Sequence, residues 1–322
     1  MKLKTLFILV LCNLIWSANP AMAKVLMGAG ASPLLTAWLR YSSALVAYAA
    51  FSALACVRDR RLPCFMVPRG SSERFWILLI GVMVFFFAPL MQMSGLYSSH
   101  ATENALIVAM EPLITVFLAW LILRDPISSL HLGAFAIALG GFALLGGLLD
   151  SVVGVEIESA HLIGNFLILL SLAGEACYSI AGRKLLMRHP PKAIFGSALL
   201  IGVLGLTVVL MIKEPGVFSR FTGWGPKVGL AILFLGPLGT SLTYIYWMFA
   251  LNEASVASVA LTLFVQPVFG SIWGAFFLNE RLSLIQWAGA ALIAAAVILA
   301  MRAPTYSPRS DLCGSAPDRL GG

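Results

Sequence analysis

The sequence predicts an all-α integral membrane protein, with ten transmembrane helices laid out as two inverted five-helix repeats. Three observations carry the prediction. The chain of 322 residues is 60% hydrophobic and 11% charged, whereas soluble proteins are about a quarter charged. Its apolar residues are gathered into ten runs, and part of the second half repeats the first at a fixed offset. A stretch of about 20 apolar residues crosses a hydrocarbon core of about 30 Å as a helix. The runs cover residues 5–26, 33–56, 75–97, 103–123, 130–149, 162–182, 192–212, 228–250, 256–278 and 283–301. They are continuously apolar, whereas strands of a membrane barrel alternate faces over about ten residues, so helices are predicted.

The net charge of +7 does not point to nucleic acid, because the basic residues sit in particular connections without interleaved aromatics. Lys2 and Lys4 precede the first run, Arg58, Arg60, Arg61, Arg69 and Arg74 fill the second connection, and Arg183, Lys184, Arg188 and Lys192 fill the sixth. By the positive-inside rule these connections are cytoplasmic, which puts both termini in the cytoplasm and the chain in the cell (inner) membrane. Lys213, Arg220 and Lys227 in the seventh connection run against the rule, beside interfacial anchors Phe218, Phe221 and Trp224. Met1 to Lys24 has the form of a secretory signal, with a basic start, an apolar centre and Ala21-Met22-Ala23 before Lys24. The repeat favours keeping it as the first helix. Five scattered cysteines form neither a disulfide framework nor a zinc site.

Laying residues 101–145 on 256–300 with a constant shift of 155 pairs Ala105 with Ala260, Pro112 with Pro267, Leu123 with Leu278 and Ser128 with Ser283. Glu111-Pro112 falls on Gln266-Pro267, and the turn Arg124-Asp125-Pro126 on Asn279-Glu280-Arg281. Trp16-Ser17 near the start of the first half is likewise similar to Tyr178-Ser179 near the start of the second. Each half, 1–149 and 162–301, holds an odd number of runs, so the second enters the membrane in the opposite direction. Residues 150–161 then form an external connection, and 302–322 a flexible cytoplasmic tail removable without loss of function.

These residues resemble the two EamA-type repeats of the drug/metabolite transporter superfamily: Glu-Pro or Gln-Pro in mid-helix, an acidic turn and a Gly/Ala-rich helix. Trp16 and Arg40 also fit that pattern. Gln266-Pro267 departs from the commoner Glu-Pro of the second half. The resemblance implies ten helices, cytoplasmic termini, a central cavity between the halves and export or exchange of small metabolites.

The residues themselves suggest where a solute would bind. An ionisable side chain at mid-bilayer costs roughly 2.5–3.5 kcal/mol on insertion scales, so it seldom faces lipid. Glu111 and Glu175 lie near the centres of their runs, with Asn13 and Gln266 at similar depth. Glu103, Ile107, Glu111 and Ile114 share one helix face; so do Ser258, Thr262 and Gln266. These faces are expected to form opposite walls of one cavity, joined by Ser171, Glu175 and Tyr178 and by Asn13 and Trp16. The alternative is that the polar residues only bond neighbouring helices. Gln92, with Phe86 and Met93, and the stripe Thr240, Tyr244 and Trp247 add a softer lining. Pro112 and Pro267 leave the carbonyls of Val108 and Leu263 without helical donors and free to bind substrate, and are expected to act either as mid-helix hinges or as static kinks filled by neighbouring side chains or water. Arg40, seven residues after Pro33, is expected to snorkel outward or to pair with an acid. Ala136 with Gly140 and Ala291 with Ala295 are expected to let helices approach closely, within one chain or across a homodimer.

A secondary carrier of a small-molecule substrate is the resulting expectation, with Glu111 or Glu175 available to carry a proton. No P-loop is present. An intramembrane enzyme is not expected: every Asp lies outside the predicted core, the His residues fall at run ends or in connections, and no His-Glu-x-x-His occurs. No cofactor or metal is expected. A multi-spanning receptor or sensor without transport is the remaining alternative.

Overall fold

The computed structural model describes residues 2–59, 65–98, 107–108, 110–124, 127–145, 159–270 and 284–302. Among these no strand occurs, and every predicted run contains a helix. In chain order they are α1 (Leu3–Gly28), α2 (Pro33–Asp59), α3 (Ser71–Ser98), α4 (Glu111–Leu123), α5 (Ser129–Leu145), α6 (Ser159–Leu186), α7 (Pro191–Lys213), α8 (Pro226–Glu253), α9 (Val256–Gly270) and α10 (Leu284–Met301). Five of them, α1, α3, α6, α7 and α8, are long and apolar enough to cross a membrane, while α4, α5, α9 and α10 contain shorter apolar stretches. The 27-residue α2 is less apolar, because it carries Arg40 and several hydroxyl side chains. Glu103, the connection at 150–158 and the tail beyond Arg302 lie outside the described residues.

Polarity is arranged inside out. Asn13, Arg40, Ser171, Thr240 and Thr262 are buried, while Phe7, Phe117, Trp120, Leu204, Ile212, Leu230 and Trp287 are exposed on the outer faces. A water-soluble bundle would lose stability by this arrangement. In lipid it is favourable, because the apolar exterior meets acyl chains and polar groups satisfy one another within.

The helices pack at small residues. At Gly81 on α3 an added Cβ would meet the Ala198 carbonyl of α7 at 3.0 Å, and at Gly236 on α8 it would meet the Arg40 carbonyl of α2 at 2.9 Å, beside Ser43. Gly141 brings α5 against the Gly289 carbonyl of α10, 2.7 Å from an added Cβ. Ala136, Gly140, Ala291 and Ala295 face outward, so of the two contacts expected of them the one within the chain is not made. Cations close two helix ends. Lys24 Nζ donates to the Leu96 carbonyl (2.9 Å), and Arg183 Nη1 donates to the carbonyls of Leu251 and Ala254, satisfying terminal acceptors that the helix itself leaves open.

Three helices depart from α geometry. Met83–Phe87 of α3 and Phe234–Leu242 of α8 are π-helical, and Leu261–Phe264 of α9 is a 3-10 turn. The prolines expected to kink helices at their middles act differently from each other. Pro112 sits in the first turn of α4, where its missing N–H has no intrahelical partner to lose; within the described residues it starts a helix. Pro267 lies three residues past the 3-10 turn of α9, which ends at Phe264, so there the change of helix type lies inside the run.

Candidate functional site

A cavity of about 100 Å³ lies where α1, α2, α3, α4, α6, α8 and α9 converge. The π segment of α8 stands behind one wall and anchors its residues Trp16 and Arg40. Pro237 lies inside it and cannot donate to the helical ladder, and the widened turn turns carbonyls toward side chains. The Gly239 carbonyl accepts from Trp16 Nε1 (3.0 Å), from Thr243 Oγ1 (3.0 Å) and, at the long limit, from Asn19 Nδ2 (3.5 Å). Thr240 Oγ1 donates to the Leu235 carbonyl (2.8 Å) and accepts from Arg40 Nε (3.0 Å).

That last bond corrects the expectation for Arg40. Its side chain does not snorkel to the interface: it is 5% exposed, lines the cavity and lies over the Tyr41 ring at 5.0 Å. No carboxylate among the described residues lies within ion-pair distance of it. Depth alone suggested an outward path, but Thr240 and the Tyr41 ring hold the guanidinium inward.

The second wall is aromatic. Trp16 packs against Tyr244 (ring centroids 5.4 Å apart) and Trp247 (5.3 Å). Tyr178 donates to the Tyr244 carbonyl (2.9 Å), Tyr244 donates its hydroxyl proton to Glu175 Oε2 (2.8 Å), and Trp247 Nε1 donates to Ser179 Oγ (2.9 Å). Each ring therefore has its polar atom fixed and its face available for packing. Glu175 and Glu111 both line the cavity.

The third wall is an amide pair. Gln266 Nε2 donates to Asn13 Oδ1 (3.0 Å), and Asn13 Nδ2 donates to Thr262 Oγ1 (3.1 Å) and to the Leu9 carbonyl (2.8 Å). Gln266 reaches the cavity; Asn13 and Thr262, both 0% exposed, stand behind it and hold its amide in place. Of the residues singled out from sequence, Trp16, Gln92, Glu111, Glu175, Tyr178, Tyr244, Trp247 and Gln266 meet at the cavity. Met93, named with Gln92, and Val108, whose carbonyl Pro112 leaves without a helical donor, also line it, as do Asn19, Pro20, Leu96 and Ser179, which were not anticipated as lining. Asn19 and Pro20 follow Trp16 by three and four residues, the spacing that shares a helix face, so their signal was present.

These groups can bind and orient a solute. A guanidinium, two carboxyl groups, three primary amides and four large rings converge there. Among the described residues no group of three His, Cys, Asp or Glu side chains is placed to hold a metal ion.

An apolar exterior, several membrane-length helices and a polar cavity among them define a multi-span membrane protein. The EamA-like transporter family model matches residues 3–147 and 162–302, and the chain belongs to that family. It is 26% identical over 211 residues to the uncharacterized transporter YcxC of Bacillus subtilis, covering 64% of this chain and 66% of that one. It is 25% identical over 305 residues to a probable terminal-alkyne amino-acid exporter of Streptantibioticus cattleyicolor, covering 94% and 95%. The chain spans 48 to 66% of the length of the first three curated relatives it matches. A solved crystal structure aligns over 100% of both chains with a TM-score of 0.72 at 16% identity, a likeness of fold alone.

Proposed function

We propose that this chain is a secondary carrier that exports or exchanges a small zwitterionic metabolite of the amino-acid type, by alternating access around the central cavity. The observation that carries the reading is the placement of Arg40 and of Glu111 and Glu175 around one buried space with aromatic walls. A guanidinium suits a carboxylate, a carboxylate suits an ammonium, and the rings of Trp16, Tyr244 and Trp247 suit an apolar side chain. The amino-acid exporter relative, aligned over nearly its whole length, points the same way. The cavity's 100 Å³ is below the roughly 300–1,000 Å³ of sites that enclose small ligands, so loading requires the helices to part.

The motion follows from two inverted repeats, residues 1–149 and 162–301, in the inner membrane with both termini cytoplasmic. Support comes from features that recur at the shift of 155. Gly81 and Gly236 mark close helix approaches, made against Ala198 and beside Ser43, which are themselves 155 apart; Leu96 and Leu251 are the capped carbonyls. Met83–Phe87 shifted by 155 falls within Phe234–Leu242, so the two π segments coincide. Such repeats exchange conformations to open a central site to either side. The breaks at Pro112 and Pro267 are the proposed hinges. Counterflow in proteoliposomes tests the reading: radiolabelled neutral amino acids should accumulate against an unlabelled internal pool in a saturable way, and absence of exchange for every amino acid offered removes it.

A further inference from the structure

A second, larger space of about 630 Å³ lies away from the central cavity, between the first turns of α1, the C-terminal half of α2, the start of α7 and the later part of α8. Its body is apolar: Ile8, Phe51, Leu242, Ile245 and Phe249 among others, with Phe51, Leu242 and Phe249 exposed. The groove is elongated. From Ser241 to Glu253, both on its wall, α8 advances about 18 Å at 1.5 Å per residue, somewhat more than the roughly 15 Å depth of one hydrocarbon leaflet.

Cations gather at one end only. Lys4 and Lys192 line the groove there, beside Glu253. Glu253 is already engaged: Lys2 Nζ lies 3.6 Å from one carboxylate oxygen and Thr5 Oγ1 donates to the other at 2.5 Å. Lys192 Nζ stands 5.2 Å from the centroid of the Phe51 ring. Neither Lys4 nor Lys192 has a carboxylate within ion-pair distance among the described residues. A reason for the gap can be read in the helices. In α3, Gly95 lets the backbone approach α6 so closely that an added Cβ would meet the Gly164 carbonyl at 2.6 Å. Ala250, 155 residues further on, carries a methyl group where Gly95 has none and lines the groove between α8 and α1.

We infer that this groove is a binding site for one anionic phospholipid, its phosphate on Lys4 and Lys192 and an acyl chain lying along α8. A long apolar trough with two lysines at its interfacial end, neither in an ion pair among the described residues, matches the shape and charge of such a lipid, and basic pockets between transmembrane helices bind anionic headgroups. The site is separate from the central cavity and does not depend on which solute is carried.

Native mass spectrometry of the purified full chain, with phosphatidylglycerol and phosphatidylcholine of identical acyl chains, tests this. One lysine near an anionic headgroup favours it about fivefold, so a preference of about 25-fold for phosphatidylglycerol is expected. Lys4→Ala with Lys192→Ala should bring the two lipids to parity, and the paired Lys→Arg variant should keep the preference. Ala47→Trp, which fills the trough without touching the charges, should lose bound lipid while eluting as the unaltered protein does. Glycerol 3-phosphate, the headgroup without its chains, should displace nothing. Equal retention of both lipids by the unaltered protein, an undiminished preference in the paired Ala variant, or displacement by glycerol 3-phosphate would each overturn the inference, the last in favour of a soluble anion.

Discussion

Replacing Arg40 by Met tests the central reading most directly. Arg40 Nε is committed to Thr240 Oγ1 at 3.0 Å, and the side chain is buried on the cavity wall, leaving the terminal guanidinium nitrogens for a ligand carboxylate. A hydrogen bond to a charged group contributes about 1.5–3 kcal/mol, and each 1.4 kcal/mol is tenfold. Losing one such bond should raise the half-saturation concentration for a neutral amino acid about 10- to 150-fold. Met has similar reach and fills much of the volume, which limits collapse of the wall. Arg40→Lys keeps the charge without the planar fork and should fall between the two. Thr240→Val leaves the arginine but removes its anchor, a charge-assisted bond, and should raise the half-saturation concentration by less than Arg40→Met does, because the guanidinium itself remains. The assay is concentration-dependent exchange in proteoliposomes with equal protein content, alongside a substrate lacking a carboxylate. If Arg40→Met exchanges amino acids with half-saturation within about twofold of the unaltered protein, the guanidinium does not hold the substrate.

Further outcomes follow from the same geometry. Glu111→Gln and Glu175→Gln should abolish any dependence of transport on a proton gradient; uptake unchanged at every pH in both variants removes proton coupling. Gly236→Ala should destabilise the protein by about 1–3 kcal/mol through overpacking, since the new methyl would meet the Ala44 nitrogen at 2.8 Å, whereas Gly133→Ala, with nothing within 4 Å, should be neutral or stabilising; equal thermal shifts would refute the packing argument. Trp247→Phe removes the donor to Ser179 Oγ at 2.9 Å and should cost about 1 kcal/mol, read as a lower unfolding temperature. Glu73 joins the turn after α6 to the start of α3, accepting from Arg69 N (2.9 Å) and lying 3.0 Å from His189 and 3.3 Å from Arg188. Glu73→Ala should speed tryptic cleavage at Arg188, and an unchanged rate would show the turn is held otherwise.

Hydrophobic runs made the helices legible, because a segment that must satisfy its backbone in lipid has few alternatives. Much of the cavity was legible for a related reason: Glu111, Glu175 and Gln266 are too polar to face acyl chains, and helical spacing puts Tyr244 with Trp247. Arg40 was misjudged because depth does not specify direction; its inward course depends on Thr240, 200 residues away. The π segments left a local trace in Pro237 between Gly236 and Gly239, but a proline alone does not distinguish a kink from a widened turn. The within-chain contact of α5 is made at Gly141 rather than at Ala136 and Gly140, because alanine and glycine suit both a packed face and an outward one.

The widened turns of α8 have a mechanical consequence. A π turn closes on i+5 and an α turn on i+4, so each holds about one residue of slack. Relaxing one such turn between Phe234 and Leu242 would twist everything beyond it by about 100°, the angle per residue at 3.6 residues per turn. Tyr244 and Trp247 would swing away from Trp16, Tyr244 would give up Glu175, and the Gly239 oxygen would return to the helical ladder. One segment of a single helix could thus act as a screw that dismantles the binding surface.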